Sequence, residues 1–317
     1  MSLKPYVKKF LEASPLADLT TAEDLINYRG MALEMLPPEE ARPKVQVVES
    51  RTIVGSGGHS IPIRIYTPAG EGAFPLFVFF HGGGFVVGDV ESYDVTCRIL
   101  ALKTGAKVIS VDYRLAPEHP FPAAPEDCYA AAKWVAEHAK ELNGNPNNII
   151  VGGDSAGGTL AAAVTLMARD RKTPKISKQI LVYPVTDFHQ QDIPSLYPSY
   201  SENAEGFGVT STHMGLFWDL YLEKEEDHSH PYASPIRAAE LNSLPPVLLL
   251  TAEYDVLRDE GEQYGQRLRE AGVPVVAKRF DGIIHGFLQF FVNQEEAVEA
   301  LDLITAFIHE KALTCLK

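Results

Sequence analysis

Cysteine is scarce in this chain. Only Cys97, Cys128 and Cys315 occur in 317 residues. An odd count without a C-x-x-C pair argues against a disulfide framework or a structural zinc site, and fits a reducing compartment. Positive charge is also short: 28 Lys and Arg stand against 42 Asp and Glu, a net charge of −14. DNA, RNA or an anionic membrane is therefore a poor match to the surface as a whole, and a neutral or cationic small molecule a better one. No run approaches the roughly 18 apolar residues needed to span a bilayer. Met1 to Leu16 carries Lys4, Lys8 and Lys9 without the uninterrupted apolar stretch of a signal peptide. Internal repeats and low-complexity tracts are missing, which removes solenoids and propellers. The expectation is a cytoplasmic protein of one large domain or two small ones, 45% hydrophobic and able to bury a sizeable core.

What is present has a rhythm. Residues 2–36 read as two helices, the first with Val7, Phe10 and Leu11 on one face. Ile61, Ile63 and Ile65 alternate as in a half-buried strand. Apolar runs then alternate with helical segments. Strands are expected at Phe74–Phe80, Ala106–Val111, Asn148–Val151, Ile180–Tyr183, Val247–Thr251 and Val273–Phe280. Helices are expected at Ala123–Lys140, Ala156–Arg169, Arg258–Glu270 and Gln294–Ala312. Strands that are apolar throughout, alternating with helices, indicate an α/β fold with a mostly parallel central sheet covered on both faces. Residues 186–236 break the rhythm. They are rich in Pro, Ser, Tyr and Asp, with one clear helical segment at Thr210–Leu222. So long an excursion between two strands reads as an inserted cap. The expected division is a core of residues 46–185 and 237–317 beneath a helical cap of residues 1–45 and 186–236.

Gly153-Asp154-Ser155-Ala156-Gly157 lies between a strand and a helix, the setting of a nucleophile elbow. The sharp turn lifts the Ser155 hydroxyl clear of the sheet, and Gly153 and Gly157 allow strand and helix to approach. A phosphate loop does not fit, because Thr159 stands where its lysine is needed. His81-Gly82-Gly83-Gly84-Phe85 follows the Phe74–Phe80 strand. Its glycines let N–H groups turn inward, and an oxyanion needs two or three such donors at about 2.7–3.1 Å. Gly83 and Gly84 are assigned, with Ala156 as the third donor. Of ten histidines, His285 sits beyond a strand's C-terminal end, at the same sheet edge as Ser155. His138 and His309 fall in helices and read as surface residues, and His119 lies in a Pro-rich loop. His228 and His230 with Asp227 read as an exposed loop rather than a metal site. Asp255 is the carboxylate placed to orient His285. Asp259 and Glu260 are explained by the dipole of the helix they open, and Glu253 and Asp281 are weaker rivals. Phe85, Phe207, Phe217, Trp218, Phe287 and Tyr183 are candidate pocket walls. The order Ser155, Asp255, His285 is that of an α/β-hydrolase.

On these stretches, together with Tyr113-Arg114-Leu115-Ala116-Pro117-Glu118, Asp255–Glu260 and His285-Gly286-Phe287, the sequence resembles the hormone-sensitive-lipase-like esterases, the microbial branch called family IV. Val256 departs from the proline that often follows the family's aspartate. The resemblance implies the α/β-hydrolase fold with a helical cap, Ser155 as nucleophile with Asp255 and His285 as partners, and the oxyanion hole named above. It also implies short- to medium-chain acyl esters as substrates, neither metal nor organic cofactor, and a homodimer through an edge strand near Val273–Phe280. An amidase or deacetylase on the same triad is the first alternative. A non-catalytic small-molecule receptor is the second, disfavoured by the complete triad, and a scaffold with a relict site is the third.

Overall fold

The computed structural model describes residues 2–13, 19–34, 36–190 and 193–310. Cys315 and the end of the helix expected at Gln294–Ala312 lie outside the described residues. Eight strands form one sheet: β1 (Val47–Val54), β2 (Ser60–Thr67), β3 (Phe74–Phe80), β4 (Lys107–Val111), β5 (Gly144–Asp154), β6 (Lys178–Val182), β7 (Val247–Tyr254) and β8 (Val275–Ile284). Their order is β1-β2-β4-β3-β5-β6-β7-β8. β2 runs antiparallel to both neighbours, and the pairs from β4 to β8 are parallel.

The continuous apolar runs follow from burial on both faces. Leu76, Val78 and Phe80 of β3 enter one core, and Phe77 and Phe79 enter the other. Helices α4 (Ala123–Glu137), α5 (Ala156–Asp170) and α8 (Arg258–Glu270) feed the first core. Helices α3 (Asp94–Thr104) and α10 (Glu295–Ile308) feed the second. Both described cysteines, Cys97 and Cys128, are buried free thiols. Among the described residues no helix is long and apolar enough to cross a membrane.

Four further helices gather at the C-terminal edge of the sheet: α1 (Pro5–Ala13), α2 (Ala22–Glu34), α6 (Ser199–Glu202) and α7 (Ser211–Tyr221). α2 lies against α7. α1 instead turns its apolar face to the end of the chain. Its Phe10 meets Phe290, the last residue of the short helix α9 (Phe287–Phe290), with ring centroids 5.1 Å apart. Tyr6 meets Phe291 at 5.2 Å. The Lys4 N–H donates to the Gly282 carbonyl at 2.9 Å, and Tyr6 and Lys4 both bond Glu296.

Arg29 fastens α2 to the body. Its Nε donates to the Val86 carbonyl at 2.7 Å and its Nη2 to the Ala116 carbonyl at 2.8 Å, while both Nη atoms grip Glu118. The guanidinium holds the Glu118 carboxyl down at about 2. A depressed carboxylate pKa adds stability above its unfolded value, lost as the pH falls toward 2. Glu118 is half exposed, so solvent screening keeps that share small, and Glu118→Gln should cost less than about 1 kcal/mol. Arg29→Ala also strips donors from two carbonyls, and should cost roughly 1–3 kcal/mol in urea denaturation. Equal costs for the two variants would show that the ion pair, not the carbonyls, holds the helix.

Candidate active site

β5 ends at Asp154 and α5 begins at Ala156, so Ser155 carries the whole reversal. Its backbone sits at φ 55°, ψ −124°, a region costing about 1–3 kcal/mol outside glycine. The Ser155 N–H is tied to the Val182 carbonyl at 2.9 Å. A Cβ on Gly153 would lie 2.2 Å from the Phe80 carbonyl oxygen, and one on Gly157 2.0 Å from the same atom. The small residues flanking the serine are thus required by the crossing of β3 under the elbow. As the first residue of α5, Ala156 has no helical carbonyl ahead of its N–H.

The glycine loop leaves β3 in a coil of left-handed residues, Gly83 at φ 114°, Gly84 at 60° and Phe85 at 65°. The N–H groups of Val86 and Val87 close it on the Gly83 carbonyl at 3.0 and 2.9 Å. Phe85 is buried and stacks on Tyr221 at 3.9 Å. His81 is fully buried, stacked on Tyr113 at 4.2 Å, with its Nδ1 on the Gly82 carbonyl at 2.8 Å. Burial pushes its pKa down to about 4, so it stays neutral and structural.

β8 runs to Ile284, four residues beyond the expected end, and delivers His285 directly from the strand. Asp255 follows β7 in the same way. The His285 Nδ1 and the Asp255 Oδ2 are 2.7 Å apart, and the Asp255 Oδ1 accepts from the Leu257 N–H at 2.9 Å. Both groups are buried. With the carboxylate as acceptor, Nδ1 carries the proton and Nε2 is left with its lone pair. Ser155, His285, Gly82, Gly83 and Gly84 all line one cavity of about 120 Å³.

The other carboxylates have different duties. Asp259 and Glu260 do more than complement a helix dipole: Asp259 accepts from the Ser199 N–H at 2.8 Å, and the buried Glu260 accepts from the Thr186 N–H at 2.6 Å and the Tyr200 hydroxyl at 3.0 Å. They hold Thr186, Ser199 and Tyr200 on α8. Glu253 accepts from the Gly282 N–H at 2.7 Å. His228 stacks on Phe188, and the Nδ1 of His230 accepts from the Tyr232 N–H. His138 and His309 each bond a backbone carbonyl, of Trp134 and Thr104.

Of the six aromatic wall candidates, only Phe217 lines the cavity. Phe85, Trp218, Tyr183 and Phe287 are core residues, and Phe207 stacks on Tyr254. The walls that sequence reasoning missed include Leu25, Tyr28, Val209, Met214 and Phe290. They come from three separate segments, α2, residues 209–214 and α9, and no local pattern joins them.

A mostly parallel sheet with a serine on a strained strand–helix turn and a histidine–carboxylate pair at the same edge defines an α/β-hydrolase. The chain belongs to that family: the family described as alpha/beta hydrolase fold matches residues 77–289, and the branch is that of the hormone-sensitive-lipase-like esterases. The chain is 39% identical to the esterase LipI of Mycobacterium tuberculosis, over 94% of this chain and 92% of that protein. It is 37% identical to an arylesterase of Saccharolobus solfataricus, over 91% and 93%. Its structure is similar to that of a hyperthermophilic esterase from the archaeon Pyrobaculum calidifontis, with a TM-score of 0.87 and 42% identity, covering 98% of this chain and 99% of that one.

Proposed function

We propose that this chain hydrolyses carboxylic esters of short to medium acyl chain, with Ser155 as nucleophile, His285 as general base and acid, and Asp255 as its orienting partner. The observation that carries the reading is the meeting of Ser155, His285 and the Gly82–Gly84 loop on one cavity, with Asp255 fixed behind the imidazole. The His285 Nε2 takes the Ser155 proton as Oγ attacks the ester carbonyl. The N–H groups of Gly83, Gly84 and Ala156 receive the oxyanion. The imidazolium then protonates the departing alcohol, leaving an acyl-serine, and a water activated by the same nitrogen releases the acid. No step calls for a metal or an organic cofactor. A fluorophosphonate probe should label Ser155 alone; a labelled peptide from elsewhere would move the site. Paired p-nitrophenyl ester and p-nitroanilide assays should favour the ester, as the names of the relatives do.

Residues 1–45 and 186–236 act as the cap over a core of residues 46–185 and 237–317. In support, both cap stretches contribute cavity walls: Leu25 and Tyr28 from the first, Met214 and Phe217 from the second. Phe217 sets the acyl length. A Cβ on Gly84 would lie 2.3 Å from its ring, so the ring rests on the glycine loop. Phe217→Ala should raise the kcat/KM ratio of octanoate over butyrate esters by about tenfold, since the space it frees would bury about two of the four extra methylenes at about 0.8 kcal/mol each. An unchanged chain-length series would remove Phe217 from that role. The partner is a small ester rather than a nucleic acid or a membrane, and the setting is cytoplasmic. β8, one of the two outer strands of the sheet, offers an edge for a homodimer.

A further inference from the structure

A buried acid stands beside the nucleophile, and the mechanism gives it no task. Asp154 precedes the nucleophile and is 3% exposed. Its Oδ1 accepts from the Gly82 N–H at 3.0 Å, and its Oδ2 from the Tyr93 hydroxyl at 2.9 Å. We propose that Asp154 is a positioning residue for the oxyanion hole, its carboxylate anchoring Gly82 so that the N–H groups of Gly83 and Gly84 are aimed at the cavity. The proposal rests on the esterase reading of that site.

Three observations support it. The ladder between β3 and β5 pairs Phe80 with Gly153, and the Gly82–Asp154 bond extends that pairing two residues further through a side chain. The approach also depends on glycine, because a Cβ at residue 82 would lie 2.7 Å from the Asp154 Oδ2 and 2.8 Å from the Tyr93 hydroxyl oxygen. From Gly82 the chain passes straight into the left-handed Gly83 and Gly84. A glycine run of this kind has no side chains to hold it, so its donors stay fixed only if its root is fixed.

The chemistry of the group suits the task. Tyr93, Tyr113, Tyr183, Cys97 and His285 are the titratable groups whose charges act on Asp154 or feel its charge. Burial pushes the Asp154 carboxyl up, while the Tyr93 hydroxyl, a protonated His285 and the Gly82 N–H pull it back, leaving it at about 6. Above that pH it is a carboxylate that only accepts, matched to two donors.

The test measures kcat, KM and inhibition by a trifluoromethyl ketone, which builds the oxyanion on Ser155. Asp154→Ala should lower kcat by about 100-fold and weaken the ketone by a similar factor, with KM within about threefold, because the lost donors act only on the oxyanion. Asp154→Asn keeps an acceptor for the Gly82 N–H and should stay within about fivefold of the parent kcat. The proposal is overturned if folded Asp154→Ala keeps kcat within about threefold, or if Asp154→Asn falls by about 100-fold at unchanged Tm. The second criterion stands even where Asp154→Ala does not fold. Ser155→Ala is run alongside: turnover by that variant would defeat the esterase reading itself, whatever the Asp154 variants do.

Discussion

Ser155→Ala is expected to remove p-nitrophenyl butyrate hydrolysis almost completely, with kcat falling by about 10⁶, while the fold persists. The hydroxyl is the only atom lost. The strained turn, the helix N-terminus and the His285–Asp255 pair at 2.7 Å all remain. What survives is substrate binding and oxyanion stabilisation, together worth roughly 10³–10⁴ over water in enzymes of this design. Circular dichroism and Tm should match the parent. Alanine retains the strain of φ 55°, so Ser155→Gly should be more stable than Ser155→Ala by roughly 1 kcal/mol. Alanine activity above about one per cent of the parent, in protein freed of parent enzyme, would refute Ser155 as nucleophile.

Gly157→Ala is expected to damage both the fold and the chemistry. The added methyl would sit 2.0 Å from the Phe80 carbonyl oxygen, 2.6 Å from the Phe80 carbonyl carbon and 2.7 Å from the His81 carbonyl oxygen. All three are backbone atoms, so no side-chain rotation relieves the clash. Either α5 retreats with Ser155 or β3 retreats with the glycine loop, and the distance between nucleophile and oxyanion donors changes in both cases. We expect at least about 3 kcal/mol of destabilisation, at the upper end for overpacking. Because an ångström of misplacement costs about 10² in rate, kcat should fall by that much in any folded fraction. Gly261→Ala is the control. It lies inside α8, and its nearest contacts would be at 3.6 and 3.7 Å, so it should gain about 0.5–1 kcal/mol. Urea denaturation of the pair separates steric conflict from a general intolerance of alanine for glycine. Equal stability of the two variants would contradict the crossing of β3 and α5 as described.

The core strands and helices were legible because burial on both sheet faces forces unbroken apolar runs. β3 matches its expected bounds residue for residue. β1 escaped because it is an edge strand, largely exposed along its length, and solvation on both sides erases alternation. α3 escaped because it is short and mixes β-branched residues with a cysteine. Ser155, the glycine loop, Asp255 and His285 could be named from sequence since each lies at a strand end, and strand ends are visible. The cavity walls and the Asp154–Gly82 bond could not, since they join segments far apart in the chain. The stretch Tyr113–Glu118, quoted only for its resemblance, acquires a physical meaning. Tyr113 stacks on His81, Arg114 clasps Asp127 at 2.8 Å, and Glu118 holds Arg29.

The bond from Lys4 to Gly282 has a consequence for biosynthesis. At about 5–20 residues per second, the partners of residues 4–6 leave the ribosome on the order of 15–60 s after those residues do. Until then the first helix has no seat and stays available to holding chaperones. The segment bearing His285 emerges at the same stage as Gly282, so on the proposed mechanism the nascent chain cannot attack an ester before that point.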